Sequence, residues 1–364
     1  MSQGISVQKK RPTPVLMIPI RRCGSHALRL RLNVSSDFYS PYPMHIVDFM
    51  PLVPAYGDLS NDWNYFQMAV DLVGLQNSTM VKWDEVALDP VSIFESIKDK
   101  PRHVHMIAWE MLFQAGLQND AKVVMDKSLD NIHYASDLLS LFDDMLFLNV
   151  VRDPRAQICS INNAIIHDYN TLLNSMTWVK AHDAAKTLAA KFPERVLTIR
   201  YEDFLTSQEV VLRKVCDFFG IEFLPTMLDI ASSQEAQSIA GRSALWENNC
   251  FAPISANIDK FKKALSTEEI EIIETVAKDY MDLYGYECMT SASANITDEM
   301  IESARERSAL GKRKAWMDLK LEDPQDYQLR QFRNDYLGML KQRLVDSQDQ
   351  RPAISQQNKL QAIA

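Results

Sequence analysis

Short apolar runs alternate along this chain with stretches in which apolar residues return every three or four positions. That alternation predicts strands set between helices. Val15–Ile20, His103–Ala108, Met145–Val151 and Arg195–Tyr201 read as strands. Ala135 to Phe142 reads as a helix, as does Ser175 to Ala190, where Trp178, Ala181, Ala185 and Leu188 recur at helical spacing. The order predicts an α/β domain with a central, mostly parallel sheet flanked by helices, whose ligands sit at the carboxyl ends of the strands. The segment Leu28-Arg29-Leu30-Arg31-Leu32 alternates with period two, a strand signature. It is read as helix all the same, because the Gly24-Ser25 turn before it resembles a loop that feeds a helix N-terminus.

The pattern changes after about Gly285. Asp298 to Trp316 is charged and helical, Asp323-Pro324 marks a break, and the next helix carries Leu329, Phe332, Tyr336, Leu340 and Leu344 on one face. That face can pack on the core, cover a site or pair two copies into a homodimer. Residues 347–364 are Gln-rich and polar and read as a disordered tail. The domain reading is a basic flexible N-terminus over 1–12, one domain over 13–288, a helical extension over 289–346 and the tail. Residues 37–100 read as irregular and rich in large side chains such as Phe38, Tyr39, Tyr42, Trp63, Tyr65, Phe66 and Trp83. These suit either a substrate pocket or, the favoured reading, the core of an insertion.

Composition narrows the class. The 364 residues are 46% hydrophobic and 24% charged, enough for a large core. No run approaches the roughly 20 apolar residues of a membrane span, and Lys9, Lys10, Arg11 and Pro12 interrupt any apolar leader. Five scattered cysteines without CxxC spacing point to a reducing compartment rather than a disulfide framework or a zinc cluster. The expected location is the cytoplasm. A net charge of −9 argues against nucleic acid as a partner. Residues 1–36 nevertheless carry seven Lys/Arg and no acidic residue, a local field suited to a small anionic ligand.

Two segments carry candidate chemistry. In the first, an apolar strand runs into Pro19-Ile20-Arg21-Arg22-Cys23-Gly24-Ser25-His26. A glycine there lets the backbone approach a phosphate, and a helix beginning at Ser25 aims free N–H groups and its positive end at the anion. Arg22 adds charge and a two-pronged fork, and Ser25 a hydroxyl. The nucleoside-triphosphatase loop needs GxxxxGK[ST], which is absent. In the second, the strand ending at Val151 leads to Arg152-Asp153-Pro154-Arg155, with Ser160 eight residues after Arg152. A helix starting at Pro154 puts Ser160 under two turns along, within reach of an anion held by Arg152. The plainer reading of this segment is an ordinary helix start with Asp153 as cap and Arg155 exposed. Together the segments suggest a nucleotide with phosphates at both its 5′ and 3′ ends.

With both present, the sequence resembles the sulfotransferases that use 3′-phosphoadenosine-5′-phosphosulfate (PAPS), with their P-loop-like fold. The first segment matches that family's Pro-x-(Lys/Arg)-Ser-Gly-Thr with one extra residue and Cys23 for the first Ser; Arg152-Asp153-Pro154-Arg155 with Ser160 matches the second motif. Asp126-Lys127-Ser128 followed by Asn131 is similar to the family's Lys-Ser/Thr-Pro segment, and Arg200-Tyr201-Glu202-Asp203-Phe204 to its Arg-Tyr-Glu-Asp-Leu. The resemblance implies PAPS as co-substrate and no metal. It implies that Arg21, Arg22, Cys23, Gly24, Ser25 and His26 cradle the 5′-phosphosulfate, that Arg152 and Ser160 hold the 3′-phosphate, and that Tyr201 lies near the adenine. Ser255, Lys260 and Lys262 are its candidates for a covering loop. Arg22 and Lys127 are expected to stabilise charge during in-line transfer to a hydroxyl or amine of a small-molecule or glycan acceptor. As general base the first choice is His105, which on a strand shares a face with His103; Glu110 and His26 are the alternatives. Two other function classes stay open, a kinase-like nucleotide-dependent transferase and a non-catalytic protein on the same scaffold.

Overall fold

The computed structural model of the chain describes residues 10–83, 86–165, 167–229 and 258–361. Its contacts divide the chain into two compact units, one of residues 1–41 with 116–326, the other of 42–115 with 327–364.

The first unit is built on five parallel strands in the order β2-β3-β1-β4-β5: β1 Thr13–Ile18, β2 Phe38–Tyr39, β3 Val123–Asp126, β4 Leu146–Val151 and β5 Val196–Arg200. Val15, Leu16, Met17 and Ile18 are all fully buried, as expected of a parallel strand covered on both faces. Val15 and Met17 join Leu28 and Leu32 of α1 (Ser25–Leu32) and Leu212, Val215 and Cys216 of α9 (Gln208–Phe219) in one core layer. Helix α8, Tyr201–Thr206, adds Phe204 to it. Asn149 of β4 points the other way, toward α11 (Thr267–Tyr284), where it meets Tyr284. On that side α6 (Pro154–Asn162), α7 (Thr171–Lys191) and α11 pack together. Phe261 of the short α10 (Phe261–Ala264) packs on Ala156 and Cys159 of α6. Helix α12, Asp298–Glu322, also belongs to this unit and packs on α7.

The second unit shows that residues 37–100 are more regular than their composition suggests. It holds α2 (Asp62–Asn77), α3 (Pro90–Ile97), most of α4 (Val104–Gln118) and most of α13 (Pro324–Gln361). Asn61 and Asp89 cap α2 and α3 through their side chains. Tyr42, Tyr65 and Trp83 are buried, while Trp63 is exposed, so most of these aromatics are core. The C-terminal helix is tied to this unit by polar contacts. Asp71, itself buried, accepts from Tyr56 Oη at 2.6 Å and pairs with Arg343. Tyr336 Oη donates to the Asp71 carbonyl at 3.1 Å, beside Gly74, where a Cβ would collide with that hydroxyl. On the predicted apolar face Leu340 and Leu344 are buried, but Phe332 is exposed. The backbone stays helical to Gln361, through the polar stretch read as a tail.

One strand assignment is overturned. His103–Ala108 is not a strand: the helix α4 begins at Val104. The apolar run continues far past strand length, and a helix buried on nearly every side shows no period of 3.6 to reveal it. The alternating geometry that put His103 and His105 on one strand face is therefore absent.

Candidate active site

The four motifs end at one edge of the first unit's sheet. Because β1 lies between β3 and β4, the turns that follow these strands emerge side by side where the strand order reverses. The register makes this concrete: Leu16 pairs with Asp126 and Ile18 with Asn149. By that register Lys127 follows β3 at the level of Met17 and Arg152 follows β4 beyond the end of β1, and the charges of both reach Cys23 in the turn between them.

The turn after β1 is shaped for an anion. Arg22 and Gly24 both adopt left-handed backbone, at φ 69° and 85°, and Gly24 precedes the first turn of α1. Arg22 Nε donates to Ser160 Oγ at 3.0 Å, and Arg152 Nη1 donates to the Arg22 carbonyl at 2.8 Å. The three residues assigned to two different phosphates thus form one connected group. Arg152 Nε is buried and has no acceptor among the described residues. Burial, then the neighbouring Arg152, lowers the proton affinity of Arg22. Lys127 is nearly fully buried, and burial with Arg29 and Arg21 beside it pushes its pKa down to about 7. Burial, then Lys127, Arg29 and Arg22, holds His26 well below the ordinary histidine value, so its imidazole is neutral. These groups repel one another's protons, and an anion among them would relieve that repulsion.

Other expected cradle residues do different work. Arg21 donates from Nε to Asp130 at 2.6 Å, so a carboxylate already holds its charge. The Cys23 thiol lies in the core layer, where burial raises it to about 11; only its backbone is left to serve an anion. Ser25 opens α1. Tyr201 packs against Gly24 and under Arg152, whose guanidinium carbon is 4.8 Å from the ring centre. Lys262 pairs with Asp259 at the surface, and Lys260 lies close enough to α6 to influence Cys159. Ser255 falls outside the described residues. In the second unit His105 is buried, its ring stacked on His103, and burial takes its pKa down to about 3. Glu110 accepts from Gln114 and pairs with Lys100.

Groups to which the sequence assigned no ligand role hold the turns in place. Gln157 Nε2 donates to the Ile20 and Arg21 carbonyls at 3.2 and 2.8 Å, and Trp178 Nε1 steadies its oxygen at 2.9 Å. Glu202 accepts the Asp153 N–H at 2.9 Å and the Tyr286 hydroxyl at 2.7 Å. Asp153 caps α6, as the plainer reading has it, but Arg155 is buried between Asp153 and Glu274. Pairing between residues far apart in the chain, 49 positions for Glu202 with Asp153 and 137 for Gln157 with Ile20, leaves no local signal. The one hint was that Arg152, Asp153 and Glu202 lie inside recognisable motifs.

Gly24 gives a direct check of this packing. A Cβ there would lie 2.1 Å from Tyr201 Cε2, on a backbone that disfavours side chains. Gly24→Ala is expected to destabilise the fold by about 1–3 kcal/mol, measured by denaturant unfolding. An unchanged unfolding free energy would show that Tyr201 moves aside without cost.

Comparison with known proteins bears on the family and the fold. A profile of the sulfotransferase family matches residues 14–225, more than half of the chain, which therefore belongs to that family. Among solved structures it is similar to the sulfotransferase domain from the curacin biosynthetic pathway. That likeness has 16% identity and a TM-score of 0.50 over 77% of this chain and 99% of that one. It is also similar to the sulfotransferase domain of the Synechococcus PCC 7002 olefin synthase, at 23% identity and a TM-score of 0.49 over 74% and 96%. No curated protein matches the chain. Among the described residues no helix is long and apolar enough to cross a membrane, and no group of three or more His, Cys, Asp or Glu is placed to hold a metal ion.

Proposed function

We propose that this chain transfers the sulfuryl group of PAPS to a hydroxyl or amine of a small-molecule or glycan acceptor. The observation that carries the reading is the Arg22–Ser160–Arg152 group, with Lys127 and His26 beside it, at the switch point of a parallel sheet. PAPS supplies the activated sulfuryl group and, in its 3′-phosphate, a second anion. Arg152 suits that phosphate because its Nε is buried and has no acceptor among the described residues. Ser160 stands next to it through Arg22. Gly24, without a side chain, lets Tyr201 pack against the turn, and the α1 N-terminus adds its N–H groups. Lys127 and Arg22 would offset charge as it builds on the bridging and non-bridging oxygens. The protein's part is positioning and electrostatics. The cysteines among the described residues are all free, which suits a cytoplasmic enzyme.

The test is calorimetric binding of 3′-phosphoadenosine-5′-phosphate (PAP) against AMP and ATP. PAP is expected to bind at least tenfold more tightly than AMP, and Arg152→Ala to weaken PAP about 10- to 150-fold, the worth of a charged hydrogen-bonding group. Equal affinity for all three nucleotides would refute the assignment of Arg152 and with it the use of PAPS.

A further inference from the structure

The loop between α6 and α7 carries a histidine that lies in no motif. His167 follows Ser160 by seven residues, and its Nε2 is buried with no hydrogen-bond partner among the described residues. The charges that reach it come from both neighbouring turns and from its own loop. These are Arg21 and Arg22 after β1, Asp130 after β3, and Asp168 beside it. The imidazole therefore stands on the same edge of the sheet as the phosphate-holding group, on the side where the β1 and β3 turns meet.

The loop is fixed from behind by a helix of the C-terminal extension. Ser308 of α12 donates to Asp168 Oδ1 at 2.9 Å and accepts the Tyr169 N–H at 3.0 Å. Asn174 of α7 donates to the Asp168 carbonyl at 2.7 Å. One turn beyond Ser308, Gly311 lets α12 come so close that a Cβ would lie 2.7 Å from Tyr169 Cβ. Anchoring of Asp168 and Tyr169, the two residues after His167, restrains the segment that carries the imidazole and gives α12 a task beside it.

The geometry points to His167 as the general base of the transfer, with Ser308 positioning its loop; this rests on the PAPS reading above. The acceptor hydroxyl gives its proton to Nε2 as its oxygen bonds to sulfur. The bond from sulfur to the 5′-phosphate oxygen breaks, and its electron pair leaves with that phosphate. Burial, then Arg21, holds the imidazole down to about pKa 4, so at neutral pH it is unprotonated and ready to accept. An anion bound beside Arg22 offsets its repulsion and raises the imidazole's proton affinity when the proton must be taken.

The experiment follows the His167 imidazole by NMR through a pH titration, with and without saturating PAP, assigning its signal by its loss in His167→Gln. Its pKa is expected near 4 in the free protein and at least one unit higher with PAP. His167→Gln is expected to bind PAP within about threefold of wild type yet turn over PAPS, with water as acceptor, about 10²–10⁴-fold more slowly. Ser308→Ala should show a smaller fall in turnover, again with PAP affinity kept. A PAP-bound protein whose His167 signal does not move, or a His167→Gln variant with turnover within threefold of wild type, overturns the proposal and leaves the PAPS reading standing. Failure of the wild-type protein to bind PAP removes both.

Discussion

Replacing Glu274 with alanine is expected to lower folding stability by about 3–5 kcal/mol, the usual effect of breaking a buried ion pair from one side. Glu274 is fully buried and accepts from four groups. Arg155 Nη1 donates at 2.6 Å, the Met289 and Thr290 N–H groups at 2.8 Å each, and Thr290 Oγ1 at 2.6 Å. Alanine would leave two backbone donors and part of a buried guanidinium without acceptors. Arg155 would keep Asp153, which it grips through Nε at 3.0 Å and Nη2 at 2.7 Å. Asp153 also caps α6 and follows Arg152 directly, so the damage should reach the turn that carries Arg152. Burial alone would raise the Glu274 carboxyl, but the hydrogen bonds from Thr290, Met289 and Arg155 outweigh it and the pKa falls below the ordinary value. The sign follows: the contribution is complete above the ordinary glutamate pKa and is lost as pH falls through the depressed one. Urea unfolding at pH 7 and at pH 4 checks both parts. The wild-type advantage over Glu274→Ala should shrink at the lower pH; a loss under 1 kcal/mol at pH 7 would refute the account.

The central sheet was legible because β1, β4 and β5 are apolar runs followed by recognisable turns. Strand β3 escaped notice, since only Val123-Val124-Met125 is apolar and the signal in that region came from Lys127 after it. Strand β2 has only two residues, Phe38 and Tyr39. The helix α1 was placed correctly against its own period-two pattern, and the structure shows why that pattern misleads. Arg29 and Arg31 are both buried, Arg31 donating to the Ala27 carbonyl at 2.9 Å and lying over Phe204, so the helix has no polar face to display. The same cause hid α4, whose burial removes the helical period. In the site, the sequence marked Arg22, Gly24, Arg152 and Ser160 because phosphate binding needs those residue types in order after strands. It could not show that Arg21 is paired with Asp130 or that the Cys23 thiol turns inward. Those outcomes depend on which side chains the sheet brings together across a hundred residues.

Lys127→Met is expected to slow PAPS turnover about 10²–10³-fold, the scale for removing one charge aimed at the developing negative oxygens, while leaving the fold intact. Methionine matches the apolar stem and removes only the ammonium. The physical ground is the position of Lys127, buried at the end of β3 next to β1, where burial with Arg29 and Arg21 lowers its pKa to about 7. A lysine held at that point should charge fully when a polyanion arrives. PAP binding at pH 8 should therefore draw in a proton, seen as a dependence of the calorimetric enthalpy on the ionisation heat of the buffer. Lys127→Met should lose that dependence. In the free protein the linkage runs the other way. Between pH 7 and the ordinary lysine value the unfolded chain holds a proton that the folded chain lacks, so the Lys127 contribution makes stability rise with pH across that window. Proton uptake that persists unchanged in Lys127→Met would mean another group does the charging, and the electrostatic role would pass from Lys127 to Arg22.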